Sequence, residues 1–91
     1  MTSDTPTFKK AAKKLKPKQK KELDAAIKIL MAKPLLGEKK KGDLAFLRIY
    51  KFKINKQLTL SGYSFDDAEL TLELMALGSH ENFYRDINRR T

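Results

Sequence analysis

The chain has 91 residues, contains no cysteine and is 41% hydrophobic. Disulfides and thiolate metal sites are therefore excluded, and the length predicts one small domain, residues 1–91, that buries only about 60–65% of its unfolded surface. Lysine and arginine number 20 against 11 acidic residues, a net charge of +9, which favours nucleic acid, an anionic surface or an acidic protein as partner. No apolar run approaches a membrane span and the charged N-terminus is unlike a secretory signal, so we expect a cytoplasmic protein.

The first third of the chain predicts two helices. Residues 1–5 are polar and are expected to be frayed. Thr5 and Pro6 are typical of a helix start, since threonine caps a helix and proline suits its first position. Pro17 ends this helix and begins a second one, which Pro34 ends. Each helix has one apolar stripe, made of Phe8, Ala11, Ala12 and Leu15 in the first and of Leu23, Ala26, Ile27, Leu30 and Met31 in the second. We expect an antiparallel hairpin whose lysines form the solvated face.

The rest of the chain predicts strands and a last short helix. Apolar and polar residues alternate in three segments, 47–54, 58–65 and 70–77, which are joined by short turns and so form an antiparallel meander. In the third segment, one face is expected to cover the helices; it consists of Leu70, Leu72, Leu74 and Ala76. Ser79 can cap a helix over 80–88. The predicted fold class is α+β, with a two-helix hairpin packed on a three- to four-stranded antiparallel sheet and a short C-terminal helix.

The only histidine, His80, follows the third strand. In the first turn of a helix the macrodipole keeps imidazole neutral, which is the form that a general base needs. Tyr84 lies four residues further on the same helix face, and Arg85 adds a permanent cation that can bind substrate phosphate. The alternative is structural: Phe83 and Tyr84 pin the helix to the sheet, and His80 is an exposed turn residue.

The first strand of the meander carries three candidate phosphate-binding cations. Arg48 shares one face with Tyr50 and Phe52, and Lys51 and Lys53 lie on the other face. Cations interleaved with aromatic residues are typical of a nucleic-acid platform. The alternative is an edge strand that its lysines protect against aggregation.

No metal or cofactor is expected. A single histidine without cysteine does not make a zinc site, and the glycines match no phosphate-binding loop. Asp66, Asp67 and Glu69 are interpreted as turn residues.

Three segments together resemble the RelE/ParE superfamily of bacterial toxins: KGDLA at 41–45, RIYKFK at 48–53 and LGSHENFYRD at 77–86. The resemblance extends over residues 5–90. It implies the toxin of a type II toxin–antitoxin pair, held inactive by a cognate antitoxin protein. Relatives of the RelE kind cut mRNA in the ribosomal A site without metal, by attack of a ribose 2′-OH on its adjacent phosphate. Relatives of the ParE kind inhibit DNA gyrase.

On this chain, the resemblance gives His80 the acid/base role and makes Tyr84 the aromatic residue that follows it. It assigns the binding of substrate phosphate to Arg48, Lys51 and Lys53. The predicted function is an endoribonuclease toxin that acts on mRNA at the ribosome. The alternatives are a gyrase inhibitor, a toxin that nicks DNA directly and a nucleic-acid-binding module without catalysis.

Three differences separate the chain from the pattern of the superfamily. The fold of the relatives usually opens with a β-strand, whereas here only a short polar segment precedes the first helix. An arginine common in the second meander strand of ribosome-dependent nucleases has no counterpart in residues 58–61. Phe46 stands where a small residue is expected.

Overall fold

The computed structural model describes residues 2–42, 46–79 and 83. In chain order, the helices and strands are β1 (Thr2–Asp4), α1 (Pro6–Lys13), α2 (Pro17–Ala32), β2 (Glu38–Lys39), β3 (Arg48–Ile54), β4 (Gln57–Asp66) and β5 (Thr71–Gly78). The strands form one five-stranded sheet in the order β1-β5-β4-β3-β2. The predicted α+β class and the antiparallel meander β3-β4-β5 are confirmed. Neither of the two described helices has the length and apolar character needed to cross a membrane.

The sheet contains two strands that the sequence analysis did not predict. Thr2–Asp4 pairs in parallel with Leu72–Leu74 of β5, and Glu38–Lys39 pairs antiparallel with Ile49 and Arg48 of β3. The expectations of a frayed start and of a missing first strand are therefore wrong for Thr2–Asp4. Both strands are too short and too polar to produce an alternating apolar pattern, so only their backbone hydrogen bonds define them. The helix predicted over 80–88 lies outside the described residues except for Phe83.

The start of α1 is fixed to β5 by Thr5. Its Oγ1 accepts a hydrogen bond from the Phe8 N–H at 3.2 Å, so the predicted N-cap is confirmed. The same hydroxyl donates to the Met75 carbonyl at 2.9 Å, and the Thr5 N–H donates to the Leu74 carbonyl at 2.9 Å. Thr5 therefore caps the helix and sets its position on the sheet.

Apolar side chains are buried on both faces of the sheet. The helix-side core lies under α1 and α2 and consists of Phe8, Leu23, Leu30, Ile54, Tyr63, Leu72, Leu74 and Leu77. The outer cluster lies on the other face of the sheet, which we call the outer face. It consists of Leu47, Ile49, Leu60, Ala76 and Phe83. A sheet that buries residues on both faces needs apolar side chains in both alternating sets.

A bulge in β5 sends neighbouring side chains to different faces. Tyr63 pairs with Leu74 and Gly62 pairs with Ala76, so Met75 is an extra residue on β5. Ala76 therefore joins the outer cluster, whereas Leu74 belongs to the helix-side core. The prediction that Leu70, Leu72, Leu74 and Ala76 share the helix-covered face is wrong for Ala76, and also for Leu70, which is 67% exposed.

Tyr63 holds the loop that follows α2. Its hydroxyl donates to the Pro34 carbonyl at 2.7 Å and accepts from the Gly37 N–H at 2.8 Å. Gly37 is required by packing, because a Cβ at this position would lie 2.6 Å from the Tyr63 oxygen. Burial raises the pKa of Tyr63, and the Gly37 hydrogen bond and the charge of Arg48 offset only part of this increase.

The substitution Tyr63→Phe keeps the ring and removes the phenol oxygen. We expect the free energy of unfolding at neutral pH to fall by about 1–3 kcal/mol, because the buried Gly37 N–H loses its acceptor. Since folding raises the pKa of Tyr63, this group's contribution to stability is complete below its ordinary pKa of 10.0 and is lost as the pH rises above it. The variant should lack this loss at alkaline pH.

Urea unfolding followed by circular dichroism between pH 7 and pH 11 measures both effects. The difference in stability between the wild type and the Tyr63→Phe variant should narrow above pH 10. A constant difference over the whole range would contradict the assignment.

Candidate functional site

The outer face of the sheet presents two exposed lysines. Lys51 and Lys53 alternate with helix-side residues of β3 and follow Ile49 on the outer face. Their cross-strand partners are Leu60 and Leu58. The two ammonium groups thus extend from an apolar strip into solvent, with their stems on the strip and their charge available to an anion.

One row across the sheet connects these lysines to the end of β5. Lys51 pairs with Leu60, and Leu60 pairs with Gly78, the last residue of β5. Two strand spacings correspond to about 10 Å. The backbone at Ser79, which leads to His80, therefore leaves the sheet about 10 Å from the backbone of Lys51.

Phe83 anchors the segment that follows β5 to the outer face. Its side chain is 0% exposed and belongs to the outer cluster. The ring lies over Gly62: a Cβ on Gly62 would be 2.7 Å from the ring and 3.3 Å from Leu47 Cδ1. The Phe83 N–H donates to the Ser79 carbonyl at 2.8 Å, an i to i−4 bond as in an α-helix. The described residues on either side of positions 80–82, Ser79 and Phe83, are thus joined by a hydrogen bond, and Phe83 packs on the outer face.

The role of Gly62 was not predicted from the sequence. A glycine inside a strand often marks a close approach of another group, and this was the available signal. His80, Tyr84 and Arg85 themselves lie outside the described residues. The structural interpretation of Phe83, as a residue that pins the chain to the sheet, is confirmed, and the roles of the other three remain predictions.

Arg48 lies apart from the two lysines. It is on the helix side of β3, opposite Tyr63, and its Nη1 donates to the carbonyls of Leu35 at 3.2 Å and Gly37 at 2.9 Å. It also lines a hollow of about 230 Å³ together with the half-exposed Phe46. In the structure Arg48 stabilises the loop after α2, and the cations of β3 do not form one cluster.

The aromatic residues of β3 are not available to stack on bases beside the lysines. Tyr50 and Phe52 lie on the helix side, where they pack against the helix-side core and stack on each other with centroids 5.6 Å apart. Tyr50 and Phe52 lie on the face opposite Lys51 and Lys53, as predicted, and their packing against the helix-side core does not support a nucleic-acid platform made of rings and lysines. Among the described strands, β2 pairs only with Arg48 and Ile49, so the Lys51–Lys53 part of β3 lies at the edge of the described sheet, as the alternative interpretation requires.

A family model described as the ParE-like toxin of type II bacterial toxin–antitoxin systems matches residues 2–88. The chain belongs to this family. Comparison with curated proteins yields no match in sequence.

Solved structures of RelE proteins share the fold of this toxin. The toxin is similar to the RelE chain of the intact Escherichia coli RelBE complex (TM-score 0.69, 15% identity, 87% of this chain and 94% of that chain). The RelBE2 complex of Mycobacterium tuberculosis is also similar (TM-score 0.69, 20% identity, 88% of this chain and 96% of that chain). So is isolated E. coli RelE (TM-score 0.68, 15% identity, 100% of this chain and 98% of that chain). The resemblance to the RelE/ParE superfamily is thus confirmed.

A second hollow of the toxin adjoins Ser79 on the helix side. It measures about 250 Å³ and lies between the corner of the two helices and the end of the sheet, where it is lined by Ala11, Gln19, Thr59 and their neighbours. The described residues that line it include no charged side chain. The described lining of this hollow therefore supplies no cation to bind a phosphate.

Gly62→Ala tests the seating of Phe83 in the toxin. The added methyl group would lie 2.7 Å from the ring, so we expect a loss of about 1–3 kcal/mol in unfolding free energy from overpacking. Phe83→Leu frees part of that space. The double variant should therefore be more stable than the two single effects predict, by at least about 0.5 kcal/mol.

Urea unfolding of the four proteins measures this coupling. A matched control pairs Gly62→Ala with Phe8→Leu in the helix-side core, where the effects should add within about 0.5 kcal/mol. Additivity for the Gly62 and Phe83 pair as well would show that the two residues are not in contact.

Proposed function

We propose that this toxin is an endoribonuclease that cuts mRNA at the ribosome without a metal cofactor. The observation that carries the proposal is the row from Lys51 to Gly78, which brings exposed positive charge within about 10 Å of the chain that leads to His80. The anchoring of Phe83 on the same face supports it, since Phe83 lies between His80 and Tyr84 in the sequence.

The proposed reaction is an internal transfer of the phosphodiester. A general base removes the proton of a ribose 2′-OH, the 2′ oxygen bonds to the adjacent phosphorus, and the bond between phosphorus and the 5′ oxygen of the next nucleotide breaks. A general acid protonates this 5′ oxygen. The products are a 2′,3′-cyclic phosphate and a 5′-hydroxyl end. Negative charge grows on the phosphoryl oxygens in the transition state, and positive side chains stabilise it.

The side chains of the toxin divide these roles. We assign the role of general base to His80 and that of proton donor to Tyr84. We assign the binding of the substrate phosphate to Lys51, Lys53 and Arg85. Both lysines are exposed, so a phosphate can reach them without a rearrangement of the sheet. Arg48, by contrast, is assigned to the loop after α2, because its Nη1 already donates to two carbonyls.

We further propose that a cognate antitoxin keeps the toxin inactive. Two of the similar solved structures are complexes of a RelE toxin with its antitoxin, and they support this assignment. Localisation in the cytoplasm follows from the proposed target.

A gyrase inhibitor is the second candidate. The observation that favours it is the description of the matching family, which is that of ParE-like toxins. A protein that only binds gyrase needs no proton transfer, so the two candidates differ in their dependence on His80.

His80→Ala should abolish growth arrest and lower the rate of RNA cleavage by about 10²–10⁴, because it removes the general base. Folding and antitoxin binding should remain unchanged. Purified toxin is incubated with translating ribosomes, with naked RNA, and with supercoiled plasmid in the presence and absence of gyrase. Full toxicity of the His80→Ala variant would contradict the catalytic assignment, and plasmid damage that depends on gyrase would establish the second candidate.

The double variant Lys51→Gln/Lys53→Gln should lower the rate of cleavage at saturating ribosome concentration by at least about tenfold. The reason is that it removes two positive charges that stabilise the negative charge of the transition state. The matched control is Lys28→Gln/Lys33→Gln, which loses the same charge at exposed positions of the helix layer, on the other side of the sheet. Equal cleavage rates for both double variants would show that Lys51 and Lys53 act only through the overall positive charge of the protein.

A further inference from the structure

The hollow beside Ser79, which we call the end hollow, exists because β4 is longer than its partner β5. The last pair between the two strands joins Leu60 to Gly78, so residues 57–59 of β4 extend beyond the end of β5. No strand in the described part of the chain pairs with residues 57–59 on that side. The space is covered from the helix side by the corner of α1 and α2, with Ala11, Leu15 and Gln19.

The end hollow borders both parts of the proposed site. Leu58 lines the hollow and is the cross-strand partner of Lys53, and the Cα atoms of such partners lie about 5 Å apart. Gly78 and Ser79 also line it, on the chain that leads to His80. The hollow therefore adjoins one lysine that we assign to the substrate phosphate and the segment that we assign to proton transfer.

The chemistry of the lining suits an uncharged ring. None of the described lining residues is charged, although 34% of the chain is. The polar side chains of the lining are two amides and two hydroxyls, those of Gln19, Gln57, Thr59 and Ser79, and the remaining lining is mainly leucine and isoleucine. The volume of about 250 Å³ is below the range of about 300–1,000 Å³ for drug-sized ligands, so one ring system fits. Pockets for unstacked nucleobases combine apolar walls with a few polar groups in this way.

The hydrogen bonds already present leave a defined set of donors and acceptors. Gln19 Oε1 accepts from the Lys16 N–H at 2.9 Å, so the NH₂ group of this amide remains as a donor. Thr59 Oγ1 donates to the Gln57 carbonyl at 3.2 Å, so its oxygen remains as an acceptor. The side-chain amide of Gln57 has no partner in the described part of the chain and offers both a donor and an acceptor. Such an amide pairs with adenine, whose N6 donates and whose N7 accepts.

We infer that the end hollow is a subsite for an adenine base of the RNA strand that the toxin cuts. The inference rests on the proposed function, because that function brings an RNA strand to Lys53 and His80. A phosphate bound by Lys53 places the adjoining base beside Leu58, from where the base enters the hollow and pairs with the Gln57 amide. Gln57 and Thr59 are thus specificity-determining residues, which select the nucleotide beside the cut and take no part in proton transfer.

The four nucleosides adenosine, guanosine, cytidine and uridine test the subsite directly, because they lack the phosphate that lysine binds. Each is titrated into the complete toxin, and NMR follows the backbone amides of Thr59 and Gly78 and the side-chain NH₂ of Gln57. We expect adenosine to shift these signals and to bind at least about fivefold more tightly than the other three nucleosides. Its affinity should change less than about twofold between about 50 and 200 mM salt, because neither the base nor the lining is charged.

Gln57→Met and Thr59→Val remove the amide and the hydroxyl and keep the approximate size of each side chain. The matched control is Thr71→Val: its Oγ1 likewise donates to the carbonyl two residues earlier, that of Glu69, at 3.2 Å, but it does not line the hollow. Valine suits a strand, so both threonine variants should fold; circular dichroism checks this. Adenosine affinity should fall at least about fivefold in the first two variants and change less than about twofold in the control.

Absence of these shifts, tighter binding of another nucleoside, or equal losses in Thr59→Val and Thr71→Val would overturn the inference. Cleavage of ribosome-bound mRNA, with A-site codons that differ in one base, separates it from the proposed function. Wild type should cut codons with adenine beside the cut at least about fivefold faster than the others, and Gln57→Met should still cut but lose this preference. Adenosine bound in the hollow of a toxin that cuts no RNA refutes the proposed function alone, and a cutting toxin that binds no adenosine there refutes the subsite alone.

Discussion

The extra residue at Met75 decides which face of the sheet each side chain of β5 occupies. With uninterrupted alternation, Ala76 would follow Leu72 and Leu74 under the helices, and Leu77 would lie on the outer face. The bulge reverses this order after Leu74, so Leu77 closes the helix-side core and Ala76 packs in the outer cluster. Thr5 binds the carbonyl of the bulged residue, which couples the position of α1 to the same irregularity.

The outer cluster depends on this reversal. Ala76 pairs with Gly62, and these two small residues form the floor on which the ring of Phe83 lies. A larger side chain at either position would occupy the space of the ring. The candidate site therefore depends on the contact between Gly62 and Phe83, because this contact places Phe83, the described residue beyond Ser79, on the face that carries Lys51 and Lys53.

The sequence predicted the features that arise from strong local patterns. The helices have regular apolar stripes with proline boundaries, and the meander has long alternating segments, so both were predicted correctly. The strands β1 and β2 were missed because two or three polar residues carry no periodic signal. Ala76 was assigned to the wrong face because a bulge changes the phase of alternation without changing residue types. Arg48 was grouped with Lys51 and Lys53, although the alternation places it on the other face of the strand, because the resemblance assigned the binding of substrate phosphate to all three cations.

The different chemistry of arginine and lysine explains this separation on β3. The planar guanidinium of Arg48 can donate to two carbonyls at once, so it suits the fixed geometry of the loop after α2. Lys51 and Lys53 are compact charges on flexible stems, which can follow a phosphate as its geometry changes. Residues 34–91 carry ten cations and eight acidic residues, so this part of the chain has a net charge of only +2. On the outer face, the position of these two lysines relative to the end of β5 therefore matters more than the total charge.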